Sequence, residues 1–302
     1  MPEYDVTLFN RGKSNADLFP DIKKIQGNRE TEEYLKIAEQ EWDCIVDFSG
    51  YYPLTFSKLL SAINGKVKKY IFISTISVFD IGKMSGAVIN EDTQTLDCSA
   101  ETMVSPLPDG YGEKKAAMER ELLAQQGMEV VILRPSFIYG RYDWTDRLYY
   151  WLYQAVKRTE ILVPAEDHNL SLTYAGDLVE TLLHSIKSTA KSNVYHTISQ
   201  QRTTLRQLVT IVAGLVGKSP RLVEVSDAQL ETFDQNYAAL PLHLPFGFEV
   251  TGDKWWLESG SKPMNFREAI RATLAYGDEI GWPAPKSGLK AEKQDSIIKA
   301  LS

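Results

Sequence analysis

Tyr111 and Lys115 stand four residues apart in Tyr-Gly-Glu-Lys-Lys, at the start of a helically patterned run, and that spacing sets both side chains on one face. A phenol alone is a poor base near neutrality, because its ordinary pKa is about 10. An ammonium beside it favours the phenolate and brings proton transfer into the working range. Thr75, in Ile73-Ser74-Thr75-Ile76-Ser77-Val78-Phe79, carries a hydroxyl at the end of an apolar strand, where it can hydrogen-bond an oxygen on which charge develops. Together the three could take a proton from a carbinol while hydride leaves for a nicotinamide ring. A further segment, Leu133-Arg134-Pro135-Ser136-Phe137-Ile138-Tyr139-Gly140, reads as a strand running into a turn. Each feature alone is ordinary: any surface helix can hold a Tyr and a Lys at this spacing, and Ser-Thr at a strand end is turn chemistry. Their order, each at the end of a suitable element, is what carries weight.

The elements that must position them follow from the apolar pattern. Strands are expected at Tyr4 to Phe9, Trp42 to Phe48, Tyr70 to Thr75 and Met128 to Leu133, and helices at Thr31 to Gln40, Leu54 to Ile63 and Glu113 to Gln126. Strands alternating with helices of this length imply right-handed crossovers and a mostly parallel sheet. Ligands bind such sheets at the carboxyl ends of the strands, where Thr75 falls. After about residue 140 the rhythm changes. Trp144 to Lys157 and Ala175 to Ile186 read as helices, Ile161 to Pro164 and Val194 to Ser199 as strands, Arg221 to Val225 as a short strand and Asn265 to Tyr276 as a last helix. The expected class is α/β, a Rossmann-like doubly wound parallel sheet with a smaller C-terminal α+β lobe. The expected division is 1–165, with a sheet return at about 169–200, and a lobe at 201–302 joined by an insertion near 141–168.

Composition narrows the function. With 302 residues and 43% hydrophobic content the chain can bury a real core. Thirty-three Lys+Arg against 40 Asp+Glu give a net charge of −7, so neither nucleic acid nor an anionic membrane is an expected partner. Cys44 and Cys98 are too few for a disulfide framework, and no two of the four histidines have metal-ligand spacing, so no metal site is expected. No apolar run reaches the roughly 18 residues of a membrane span and the start lacks a signal-peptide profile, so a soluble cytoplasmic protein is expected.

With Thr75, Tyr111, Lys115 and the Arg134–Gly140 turn in this order, residues from about 4 to 200 resemble the short-chain dehydrogenase/reductase superfamily, extended branch, NAD-dependent epimerase/dehydratase type. The resemblance implies an NAD(P)-dependent oxidoreductase or epimerase acting on a sugar-like or other small carbonyl or carbinol substrate. It makes Tyr111 the acid/base, Lys115 the residue that lowers its pKa and holds the nicotinamide ribose, and Thr75 the hydroxyl that polarises the substrate oxygen. Phe79 sits where the family usually has Tyr. Ser74, Pro135 and Ser136 would lie along the nicotinamide, and Ser49-Gly50 would pass beneath the cofactor. Ser77, Tyr142, Asp143 and Arg147 would border the substrate, with Arg147 on an anion or a sugar hydroxyl; a helix cap at Asp143 or Thr145 reads the same residues structurally. Asp177 resembles a structural Asp of the family. A homodimer paired through the helices at 54–63 and 113–126 is also implied.

One motif is absent. No G-x-G-x-x-G or G-x-x-G-x-x-G occurs, and the first strand, Tyr4 to Phe9, matches the family's second. The sheet is therefore expected to miss its usual first strand and helix, as if the chain began one β-α unit late. Either the flanking strands close up and pair, or another segment or chain fills the slot, or this is a shortened form of a longer gene product. Arg11, Lys13 and Ser14 end the first strand, and an Arg there suits a 2′-phosphate, which favours NADP with NAD possible. Asn28, in Gly27-Asn28-Arg29, stands where the family touches adenine with Asp. Without the helix N-terminus that receives pyrophosphate, cofactor affinity is expected to fall. The rival reading is a non-catalytic Rossmann-fold binding protein. Gly217-Lys218-Ser219 before Pro220 reads as a helix end, Trp255-Trp256 with Phe246 and Phe248 as lobe packing or a pocket wall, and His184 and His196 as core histidines.

Overall fold

The computed structural model describes residues 4–189 and 193–301. The chain divides into two compact units: residues 1–79, 94–133 and 185–194 form the first, and residues 80–93, 134–184 and 195–302 the second. This differs from the division read in the sequence. Residues 141–168 belong to the second unit, and their apolar side chains share a core with residues beyond 200.

In the first unit, β1 (Thr7–Asn10) and β2 (Lys23–Gln26) make a parallel pair of their own, Thr7 opposite Lys23. β3 (Trp42–Asp47), α1 (Pro53–Ile63), β4 (Val67–Ile73), α2 (Tyr111–Leu123) and β5 (Glu129–Arg134) follow. β4 runs parallel between β3 and β5, with Val46 opposite Ile71 and Ile71 opposite Val131. Pro53 starts α1, whose missing N–H costs nothing at a first helical turn. Its buried residues Phe56, Leu59, Leu60 and Ile63 recur at helical spacing and pack with Tyr70, Phe72 and Ile132 of the sheet and Met118 and Leu122 of α2. Each such burial contributes about 1.5–3 kcal/mol.

Three details depart from expectation. The helix expected over 31–40 is a 3-10 helix, Glu32–Glu39, whose first turn is capped by the Thr31 side chain. Trp42 Nε1 and Lys66 Nζ take the carbonyls of Ile37 and Ala38 at its end, at 2.7 and 2.5 Å. β2 escapes sequence reading because Lys-Lys-Ile-Gln has one apolar residue. Finally, β1 and β3 belong to different sheets among the described residues, so the flanking strands do not close up and pair.

The second unit contains β6 (Phe137–Tyr139), α3 (Arg147–Lys157), β7 (Glu160–Pro164), β8 (Leu170–Tyr174) and α4 (Ala175–Lys187), which crosses back to the first unit at Ser185. The strand β9 (Val194–His196) enters the four-stranded sheet, whose order is β9-β5-β4-β3. Then come β10 (Gln200–Thr203), α5 (Leu205–Leu215), β11 (Arg221–Val225), α6 (Phe266–Glu279) and α7 (Ala291–Leu301). β8 lies between β6, parallel, and β10, antiparallel, while β7 and β11 pair in parallel. The core joins Tyr150, Trp151 and Leu152 of α3 to Leu162, Leu208, Val212, Ile270 and Ile297. Trp151 satisfies its indole N–H on the Pro241 carbonyl at 2.7 Å, so the ring can be fully buried. α3 starts at Arg147 and not Trp144, because Tyr142 and Asp146 hold left-handed backbone at φ 67° and 56°.

Candidate active site

The chain leaves β4 at Ile73 and turns at Thr75. The Thr75 hydroxyl accepts the Ser77 amide at 3.1 Å and donates to the Ser77 hydroxyl at 3.2 Å, capping a single 3-10 turn at Ile76–Val78. α2 begins at Tyr111 and rests directly on this turn: a Cβ on Gly112 would fall 1.9 Å from the Ser77 carbonyl oxygen. Only glycine permits that approach, and it brings the first turn of α2 beside Thr75 and Ser77. The buried Lys114 holds the loop ahead of the helix by donating to the Ser105 and Asp109 carbonyls at 2.5 and 2.8 Å.

Lys115 points inward. Its Nζ donates to the Ile73 carbonyl at 2.8 Å and lies 4.3 Å from the Phe72 ring centre and 5.1 Å from that of Tyr51. The Tyr51 ring lies 6.3 Å from the Tyr111 ring, so it touches both members of the pair. Burial pushes the Lys115 ammonium down to about 8, with the charge of Asp47 opposing the fall. The amine is therefore still mostly cationic at neutral pH. The first unit thus brings together Ser74, Thr75, Ser77, Tyr111 and Lys115, with Tyr51 and Gly112 added by the structure. A Tyr two residues beyond Ser49 carries no signal in a lone sequence, and the glycine inside Tyr-Gly-Glu-Lys-Lys is informative only once its packing is known.

A second group that sequence reading missed lies where β2 and β3 end. Arg29 Nη1 and Nη2 donate to the two oxygens of Asp47 at 2.5 and 2.9 Å, and Nη1 also reaches the Ser49 hydroxyl at 3.1 Å. Asp47 further accepts the Tyr70 hydroxyl at 2.8 Å and the Ser49 amide at 2.9 Å. Burial by itself would raise this carboxyl, but the Arg29 hydrogen bonds and charge hold it below the ordinary range. Gly50 is buried here, and a Cβ would meet the Phe72 ring at 2.8 Å.

The remaining predicted cofactor residues are dispersed. Arg11, Lys13 and Ser14 are exposed in the turn after β1. Asn28 is half-buried and turns its side chain to the Glu30 amide at 3.1 Å. Ser74 is buried with a hydroxyl that has no hydrogen-bond partner.

The other predicted residues belong to the second unit. Pro135 is buried, and the Ser136 amide donates to Thr173 Oγ1 at 2.9 Å while its hydroxyl is buried without a partner. Tyr142 is 71% exposed and packs on Tyr276. Asp143 Oδ1 accepts the Thr145 amide and hydroxyl at 2.9 and 2.6 Å, and its Oδ2 is buried without a partner. Arg147 reaches Thr145 Oγ1 at 3.2 Å and covers the Phe137 ring at 5.1 Å. Asp177, at the start of α4, accepts the Met264 amide at 3.0 Å. His184 packs edge-on against Trp255, and His196 is fully buried with Nδ1 2.8 Å from the Thr251 carbonyl. A small depression is lined by Phe137, Asp167, His168, His243, Phe246 and Phe248. His168 Nε2 is buried there without a partner, and His243 meets Asp227 at 2.8 Å.

A parallel sheet whose central strand leads into the Thr75 turn, with Tyr111 and Lys115 on the helix beside it, has the short-chain dehydrogenase/reductase fold of the extended, NAD-dependent epimerase type. Within that class the chain belongs to the family described as the RmlD substrate binding domain, which matches residues 56–278. An 83-residue stretch is 37% identical to UDP-glucose 4-epimerase of Vibrio cholerae, covering 26% of this chain and 22% of that enzyme. The fold is similar to a mutant UDP-glucuronic acid 4-epimerase from Bacillus cereus, solved with a fluorinated UDP-glucuronic acid and NAD: TM-score 0.68, 15% identity, 93% of each chain covered. It is also similar to WbmG of Bordetella bronchiseptica in complex with NAD: TM-score 0.69, 17% identity, 95% of this chain and 90% of the other.

Proposed function

We propose that this protein is a nicotinamide-dependent epimerase or oxidoreductase acting on a sugar-like carbinol or carbonyl, most simply a nucleotide sugar. One observation carries the reading: a buried, cationic Lys115 lies one helical turn from Tyr111, and both touch Tyr51. The residues present fit a dinucleotide. Ser74 offers a buried hydroxyl with no partner, and Lys115 keeps two N–H bonds beyond the one given to Ile73. These two, with Ser49, Gly50 and Asn28 of the same unit, would hold it, and Arg11, Lys13 and Ser14 favour NADP over NAD. When bound, the nicotinamide accepts and returns hydride. The protein's part is proton handling. The Tyr111 oxygen, favoured as phenolate by the Lys115 charge, takes the carbinol proton and becomes the phenol, and Thr75 Oγ1 turns from Ser77 to hydrogen-bond the substrate oxygen. Ser77 in the first unit, and separately Tyr142, Asp143 and Arg147 in the second, are proposed for substrate, Asp143 Oδ2 being buried and unpaired. We also propose a homodimer through α1 and α2, checked by light scattering.

The test is fluorescence titration with NADPH and NADH, followed by nicotinamide-linked turnover of UDP-glucose and UDP-glucuronic acid. Saturation below millimolar cofactor is expected, with turnover at least about 100-fold lower in Tyr111→Phe. A folded sample that binds neither cofactor removes the proposal. The aromatic depression of the second unit, with its unpartnered His168 Nε2, favours one rival, a ligand-binding protein without turnover. In that case nucleotide sugars bind the wild type and Tyr111→Phe equally, and no sugar is converted.

A further inference from the structure

Arg29 is held by more than a chance surface contact. Asp47 is almost fully buried and takes four hydrogen bonds from three residues besides itself: two from Arg29, one from the Tyr70 hydroxyl and one from the Ser49 amide. A guanidinium has five N–H bonds in a fixed plane. In Arg29 the end-on pair, one N–H from each Nη, is used by Asp47, and the remaining Nη1 hydrogen goes to Ser49 Oγ. What is left is the side-on pair, Nε–H with the second Nη2–H. No hydrogen bond from it is formed among the described residues, and Glu30 Oε1 stands 4.0 Å from Nε. Such a side-on fork matches two oxygens of one phosphate group. Its side chain is 20% exposed, so an incoming anion can reach it. Arg29 follows β2 and Ser49 follows β3, so the fork stands at the carboxyl ends of parallel strands, where ligands of open α/β sheets bind. Burial raises the Glu30 carboxyl, and the charges of Arg29 and, more weakly, of Arg11, which follows β1, oppose that rise.

We infer that the side-on edge of Arg29, fixed by Asp47 and Ser49, is a phosphate-binding fork of this chain for a nucleotide cofactor. The inference rests on the dinucleotide reading above, but its chemistry is that of any phosphate ester presenting two oxygens. Holding the guanidinium in place beforehand removes most of the ordering cost of binding. Glu30 is the counter-charge that the phosphate displaces, so removing it helps the ligand while removing Arg29 harms it. A merely structural Arg29–Asp47 pin predicts neither effect.

The experiment is calorimetric titration of the full chain at low salt with ADP and, separately, 2′-AMP, in wild type, Arg29→Lys and Glu30→Gln, each checked for folding by circular dichroism. Arg29→Lys keeps the charge but loses the fork, and is expected to weaken binding about 10-fold or more. Glu30→Gln, a change at an exposed side chain, is expected to tighten it severalfold. Loss with ADP alone assigns the fork to the diphosphate, and loss with 2′-AMP alone assigns it to the 2′-phosphate. Should Arg29→Lys fail to fold, the wild-type Arg29 Nε–H nuclear magnetic resonance signal, expected to shift to saturation with ADP or 2′-AMP, decides instead. Equal affinities in wild type and Arg29→Lys, an unmoved Nε–H signal, or no binding of either probe at millimolar concentration overturns the inference. A parallel NADH and NADPH titration separates the two ideas. Dinucleotide binding that ignores Arg29 leaves the functional reading standing without the fork, and Arg29-dependent ADP binding without dinucleotide binding does the reverse.

Discussion

Lys115 exposes a conflict between stability and chemistry at a single atom. Its ammonium is buried against Phe72 and Tyr51, and burial drives it from 10.5 to about 8. A lysine whose folded value lies below its unfolded one binds fewer protons when folded between those two pH values. Stability therefore rises with pH across about 8 to 10.5, and the burial penalty is in full force below 8. Lys115→Met is expected to raise stability by about 1 kcal/mol or more at pH 7, read from urea unfolding, while abolishing turnover. A destabilised Met variant would mean the Ile73 hydrogen bond outweighs desolvation. Turnover of the wild type should likewise decline as pH rises through about 8, when the cation beside Tyr111 is lost. Tyr111, Lys115 and Thr75 could be singled out in the sequence because their types and spacing suit the proposed chemistry. Arg29 and Asp47 could not, since 18 residues separate them and only folding joins them.

At the scale of elements, the site depends on how closely α2 approaches the turn after β4. The Gly112 Cα faces the Ser77 carbonyl so tightly that an added methyl would stand 1.9 Å from its oxygen. Backbone cannot yield as a flexible side chain does, so Gly112→Ala must tilt α2 or displace the turn. The expected result is a loss of about 1–3 kcal/mol in stability, with a larger fall in turnover than in cofactor affinity. Normal kinetics with normal unfolding in that variant would show that the helix start has room to spare. The strands β3, β4 and β5 and both flanking helices were legible because their apolar residues recur at periods of about two or 3.6. β2 was not, because exposed lysines occupy most of it. The early start expected for α3 failed for a different reason: left-handed backbone at Tyr142 and Asp146 spends those residues on a turn.

Across the whole molecule there are two cores, and in the second α3 and β7 pack on α5. In the second unit His196 is fully buried, and burial depresses it from 6.5 to about 4. The unfolded chain therefore takes up a proton first as pH falls. The stability present above about 6.5 drains away until pH reaches about 4. Unfolding midpoints in urea should drop across that window in the wild type and change less in His196→Gln. Equal slopes in both would assign the acid lability to carboxylates such as Asp47, which is also held below its ordinary range.

The parallel pair formed by β1 and β2 has a thermodynamic corollary. Two strands alone are marginal in water, and this pair is fastened mainly by local ties: Phe9 against Gly27, and Lys24 Nζ on the carbonyls of Ala16 and Leu18 at 2.8 Å. Deuterium should reach the amides of Leu8 and Ile25 well before those of Ile71 and Val131. A nucleotide seated on Arg29 should slow that exchange, so that occupancy, and not the resting chain, would set how firmly this corner of the protein is folded.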